Sequence, residues 1–251
     1  MRLRPLLLLC LLIGRPTWAA SELVAIPSGA YVPFLLQSKP NSAQDQFQKT
    51  PVKVDSFSID KNLVTNEDYL KFVKSNPEWK KSKVKRVFAD ERYLQNWSSD
   101  LKLAGPEDRK RPVTDVSWFA ARAYCESRDM NLPTTDQWEF AFFDNGRNQE
   151  AVKEKVLAWY GQPTARHLSK VGAEGKNEFG VYDLSSIVWE WTLDFNSSLP
   201  GSGLSCGGGS VGTLDSSDYA AFMRYSFRSS LKANYTTGNL GFRCVKEKGA
   251  P

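Results

Sequence analysis

The C-terminal hundred residues of the chain are rich in Gly, Ser and Asn, with aromatic side chains spaced between them. Such a stretch cannot supply a regular core by helix or sheet alone. Gly and Ser bury little apolar surface and Asn favours turns, so disulfides, aromatic anchors or a bound metal must pin it. Eight Trp, nine Tyr and fourteen Phe among 251 residues provide anchors. With 41% hydrophobic and 24% charged residues the chain can bury a sizeable core, and one globular domain is expected.

Residues 1–19 read as a secretory signal peptide. Arg2 and Arg4 give a positive start, residues 6–13 an apolar stretch too short to span a bilayer, and Thr17-Trp18-Ala19 a small-residue cleavage site. An uncleaved anchor is the alternative; Cys10 lies inside the apolar stretch and not at its end, where a lipid-attachment Cys would stand. No later segment is apolar enough to span a membrane, so residues 20–251 are expected as a soluble exported domain, periplasmic or secreted.

Cleavage removes Arg2, Arg4 and Arg15 and no acid, leaving thirty Lys and Arg against 28 Asp and Glu. A domain so near neutrality has no global field to draw in nucleic acid, and no nucleic-acid partner is expected. Lys80, Lys81, Lys83, Lys85 and Arg86 form a local basic run that reads as a solvated face. An acidic partner is its alternative, and Asp90 and Glu91 dilute it.

Past the leader remain Cys125, Cys206 and Cys244, an odd number for an oxidising compartment. One disulfide and one free thiol are expected, and the sequence leaves the pairing open. His167 is the only histidine. Neither a multi-His iron or zinc centre nor a His-rich copper site can be assembled, and His167 is the one candidate base for serine hydrolysis.

Residues 23–26 and 52–59 carry strand-like apolar patterns, and 62–66 break them. Thr65 can cap a helix with Tyr69, Phe72 and Val73 on one face, ending before Pro77. A second helix is predicted from Ser117 through Cys125. A third follows Pro133, where Thr134 and Gln137 have capping-box spacing ahead of Trp138, Phe140 and Ala141.

Eight landmarks then follow one another along the chain. They are Val64-Thr65-Asn66 with Tyr69 and Phe72; Pro112-Val113 with Val116-Ser117-Trp118; Ala123-Tyr124-Cys125; Leu132-Pro133-Thr134 with Trp138-Glu139-Phe140; Phe179-Gly180-Val181-Tyr182-Asp183; Trp189-Glu190-Trp191; Gly208-Gly209-Ser210; and Asn239-Leu240-Gly241-Phe242-Arg243-Cys244. In this order they resemble the formylglycine-generating enzymes, also called sulfatase-modifying factors, over nearly all of residues 20–251. The resemblance implies a single α+β domain, formylglycine-generating-enzyme-like and C-type-lectin-like, with little regular secondary structure.

In active members a cysteine pair shortly after Gly-Gly-Ser binds copper, activates oxygen and converts a target Cys of a sulfatase to formylglycine. Paired thiolates suit Cu(I) because both partners are soft. Here the two places fall at Thr213 and near Phe222, neither of which is a thiol, and copper is not expected. Cys206, just before the Gly208-Gly209-Ser210 turn, is a catalytic candidate in the same groove, with a buried inert thiol as its alternative. Ser210 and Trp189 match residues that line the family's oxygen and substrate pocket, although Trp189 reads equally well as core.

The resemblance also implies calcium, held by the side chains of Asp183 and Glu190 and the backbone carbonyls of Ser186 and Val188. Oxygen donors suit that ion; the alternative is that both carboxylates satisfy loop amides. A Cys125–Cys244 disulfide is implied as well, with Phe142 and Phe227 replacing a second family bridge. The expected function is an exported binding or accessory maturation factor for a protein or peptide partner, such as a redox or metal enzyme, without formylglycine-generating activity. The alternative is an oxidase tailoring a peptide or protein substrate in the same groove with a different centre.

Overall fold

The computed structural model describes residues 21–33, 51–144, 168–186, 188–196 and 230–248. Its N-terminal apolar patterns become sheet. β1 (Leu23–Ile26) pairs antiparallel with β4 (Phe57–Asp60), with Ile26 opposite Phe57. The other edge of β4 takes β9 (Val245–Glu247), so segments from near both described ends share one three-stranded sheet, while β5 (Trp97–Ser99) and β6 (Lys102–Leu103) pair with each other.

The single strand expected over 52–59 is two. β3 (Val52–Val54) leaves to pair with β2 (Gly29–Tyr31), and β4 starts only at Phe57. The reason lies in the pleat. Val54 and Phe57 are three residues apart and would face opposite ways on one strand, yet both are buried in the same cluster. Breaking the strand at Asp55 and Ser56 lets both face inward.

The three predicted helices form, each beginning where a hydroxyl takes an orphan amide. Thr65 Oγ1 accepts from Asp68 N at 3.1 Å for α1 (Asn66–Ser75), and Ser117 Oγ from Ala120 N at 3.2 Å for α2 (Trp118–Glu126). For α3 (Thr135–Phe142), Thr134 Oγ1 accepts from Gln137 N at 3.1 Å while the Gln137 amide oxygen accepts from Thr134 N at 2.9 Å. Each cap stabilises its helix by about 1 kcal/mol.

Among the described residues two apolar clusters form the core. One gathers Tyr69, Phe72, Ala120 and Tyr124 of α1 and α2 with Trp191 and Phe242. Tyr69 sits at its centre, its ring 5.8 Å from Tyr124 and 6.1 Å from Phe242, and its hydroxyl pairs with that of Tyr93 at 2.7 Å. The other packs Ile26, Phe57 and Ile59 of the sheet against Trp138, Phe140 and Phe142 of α3. Truncating one such ring to Ala would cost about 3–5 kcal/mol.

Cys125 of α2 is disulfide-bonded to Cys244, which precedes β9, across a separation of 119 residues. In the chain-entropy picture a loop of that size is worth roughly 4–5 kcal/mol. Among the described residues, short strands, three α-helices and irregular connections held by rings and the Cys125–Cys244 bridge make an α+β domain, as expected. No helix among the described residues is long and apolar enough to cross a membrane.

Candidate functional site

The Trp189-Glu190-Trp191 segment is extended, so its side chains alternate in direction. β7 (Trp189–Glu190) runs parallel to β8 (Leu240–Gly241); Trp189 N donates to Asn239 O at 2.7 Å and Trp191 N to Gly241 O at 3.0 Å. Trp191 is fully buried, its indole N–H donates to Val116 O at 2.9 Å, and its ring meets Phe195 at 5.1 Å. Trp189 is half-buried and packs on the margin of the same cluster, so it touches core while keeping an open edge.

Gly241 permits the close approach of these strands. A Cβ there would stand 2.9 Å from Val113 O and 3.2 Å from Val188 Cγ1. Backbone cannot give way as a flexible side chain can, so only glycine fits without movement.

Glu190 points into protein. Its Oε2 accepts from Arg243 Nε at 2.7 Å and its Oε1 from Arg243 Nη2 at 2.9 Å, with the two side chains 1% and 0% exposed. Arg243 also donates to Tyr182 O at 3.0 Å and Asp60 O at 3.3 Å. A planar guanidinium and a carboxylate match as a bidentate pair, and the two carbonyls occupy the donors left over.

Beside this pair lies a second one. Asp60, almost fully buried, takes both Nη atoms of Arg128 at 2.8 Å, the amide of Cys244 at 3.0 Å and the hydroxyl of Ser21. Residues 240–245 are therefore fixed by β pairing, two ion pairs and the disulfide. In the sequence Arg243 stands only within a motif, and its place inside the apolar run Leu240-Gly241-Phe242-Arg243-Cys244-Val245 is the signal that it needs a buried partner.

Asp183 is buried at φ +60. Its carboxylate accepts from Glu174 N at 3.0 Å and from Gly172 N, while its own N–H donates to Gly175 O at 3.0 Å. Ser186 N donates to Asp183 O at 2.9 Å, and Val188 N to Ser186 Oγ at 3.3 Å. The four residues expected to hold calcium thus lie on one irregular segment, but in this arrangement both carboxylates are already committed to protein donors. A cation bound by Glu190 would also sit against the positive charge of Arg243, so the donor set does not fit calcium as it stands. No group of three or more His, Cys, Asp and Glu side chains is gathered among the described residues.

Cys206, Ser210, Thr213, Phe222, Phe227 and His167 lie outside the described residues. Phe142 is described; it stacks on Trp138 with ring centroids 4.9 Å apart.

Comparison with known proteins agrees with this frame. The inactive C-alpha-formylglycine-generating enzyme 2 of Bos taurus is 28% identical over 273 residues, which cover 92% of this chain and 89% of that protein. The formylglycine-generating enzyme of Mus musculus is 27% identical, covering 91% and 76%. Among solved structures, CarF superposes with a TM-score of 0.52 at 16% identity, covering 91% of this chain and 99% of that one. Treponema denticola variable protein 1 superposes at 0.51 and 17%, covering 90% and 95%. At such identities the structural likeness speaks to fold alone. The model of the sulfatase-modifying factor enzyme 1-like domain matches residues 12–248, and the chain belongs to that family.

Proposed function

We propose that this protein is an exported, non-catalytic member of its family that acts as a binding or accessory maturation factor for a protein partner, a redox or metal enzyme being one such class. One observation carries the reading. The Cys125–Cys244 bridge takes two of the three thiols outside the expected leader and leaves Cys206 alone. A soft dithiolate site cannot be assembled from one sulfur. The name of the Bos taurus relative, which calls that protein inactive, supports the same direction.

Export is supported by the leader pattern of residues 1–19 and by a structural disulfide, which persists in oxidising compartments. The half-buried Trp189 at the margin of the core supplies one wall of a groove for a peptide segment, by analogy with the pocket residue it matches. Asp183 and Glu190 serve structurally on this reading, through loop amides and Arg243, and calcium is left to direct titration.

The test is turnover. Purified mature protein, supplied with copper or iron and oxygen, is incubated with cysteine-containing peptides, and the products are weighed by mass spectrometry. Unchanged peptide, together with a discrete partner captured from the exported fraction and lost in Trp189→Ala, supports the accessory role. Sustained oxygen-dependent modification abolished by Cys206→Ser overturns it in favour of an oxidase with a different centre.

A further inference from the structure

A cavity of about 490 Å³ lies on another part of the molecule, lined by Asn66, Trp97, Thr114, Asp115, Leu168 and Gly238 among others. That volume is within the range of sites for small organic ligands. Its polar wall is unusual. Asp115 is 5% exposed, and its Oδ1 has no hydrogen-bond partner among the described residues.

The backbone explains how Asp115 is held there. Its N–H donates to Thr237 O at 3.1 Å, its carbonyl accepts from Leu94 N at 2.8 Å, and its φ is +55. Left-handed backbone at a non-glycine residue is tolerated best by Asn and Asp, and it persists only where surrounding bonds over-determine it. Two strands of contact therefore fix a carboxylate that the fold itself does not pair.

Burial pushes the Asp115 carboxyl up to about 6; Arg92 opposes this, Asp90 adds to it, and Lys81 opposes it in turn. Among the described residues no cation hydrogen-bonds to Oδ1. An isolated buried carboxylate is strongly disfavoured unless something supplies a donor. The neighbouring polar groups are spoken for. Asn66 Nδ2 donates to Pro112 O at 3.3 Å, its Oδ1 accepts from the Trp97 indole at 2.8 Å, and Thr114 Oγ1 accepts from Asn96 at 3.4 Å.

We propose that this cavity binds a small organic molecule carrying a protonated amine, with the ammonium donating to Asp115 and the apolar remainder lying against Trp97, Leu103 and Leu168. Glu107, Asp108 and Arg111 also line the cavity, but Asp108 is held by Arg111 at 2.6 Å and by Gly105 N at 2.8 Å and Glu107 is exposed, so Asp115 is the buried carboxylate left to a ligand, and a single charge suits an ammonium group better than a divalent cation, which needs more anionic oxygens. The site is independent of Trp189 and of the accessory role.

The experiment is calorimetric titration of the purified mature protein at neutral pH with n-butylammonium and benzylammonium chloride, with benzyl alcohol as the uncharged control. Saturable one-site binding of an ammonium is expected, with the alcohol and the Asp115→Asn variant each weaker by about tenfold or more. Asn keeps the shape and tolerates the backbone, and circular dichroism checks the fold. A second variant, Gly238→Ala, puts a methyl 3.9 Å from Asp115 Oδ2, an ordinary contact that requires no neighbour to move and takes space beside the carboxylate that an ammonium group would use. It decides the matter if Asp115→Asn fails to fold, and weaker amine binding is expected of it. Absence of saturable binding by both ammonium probes overturns the proposal, as does equal binding of the alcohol or undiminished binding by the variants.

Discussion

Arg243 and Glu190 meet as a bidentate ion pair, 53 residues apart in sequence, with neither side chain more than 1% exposed. Removing one partner leaves the other charged and buried. Arg243→Met is therefore expected to lower unfolding free energy by about 3–5 kcal/mol, and the double variant Glu190→Leu with Arg243→Met by clearly less than the sum of the single changes. Urea denaturation midpoints of the three proteins check this.

The same pairing bears on calcium. With Asp183 held by the amides of residues 172 and 174 and Glu190 by Arg243, added calcium or chelator should leave the melting temperature where it is. A saturable calcium-dependent rise, lost in Asp183→Asn, would assign the ion to these residues instead.

Gly241→Ala should be disproportionately damaging for the addition of one methyl. The new Cβ would stand 2.9 Å from Val113 O, which is backbone, and β7 and β8 would have to part. A loss of about 1–3 kcal/mol is expected, read as a lower melting temperature.

Asp115 makes stability depend on pH in a direction opposite to most carboxylates. Its folded pKa is raised from 3.8 to about 6, so its contribution to stability is complete below about pH 4 and is lost as pH rises through 6. Asp115→Asn removes that loss. The variant should match the parent at pH 4 and exceed it above pH 6, by up to about 3 kcal/mol. Parallel denaturation curves at the two pH values measure the difference.

Much of the frame was legible because its signals are local. The hydroxyl caps at Thr65, Ser117 and Thr134 act within three residues, and helical spacing of the aromatic residues marked the buried faces. The split between β3 and β4 was not legible, because it follows from which partners each half finds in β2, β1 and β9. Arg243 and Glu190 stand in separate motifs; the apolar run around Arg243 marks its need for a buried partner, but nothing local identifies Glu190 as that partner. Asp115 carried no sequence signal either, since its burial and left-handed backbone come from contacts with residues 94 and 237. The family resemblance puts Asp183 and Glu190 forward as metal ligands; the protein donors that engage them lie outside that segment, at residues 172, 174 and 243.

The absence of a thiol pair is tested most directly by counting thiols. Mature protein isolated from the exported fraction is alkylated under denaturing conditions, with and without prior reduction, and the adducts are located by mass spectrometry. One adduct before reduction, at Cys206, and three after it, at Cys125, Cys206 and Cys244, is the expected result. Alkylation of Cys125 and Cys244 without reduction would show that they are free, and the claim that the chain has one available sulfur would be wrong.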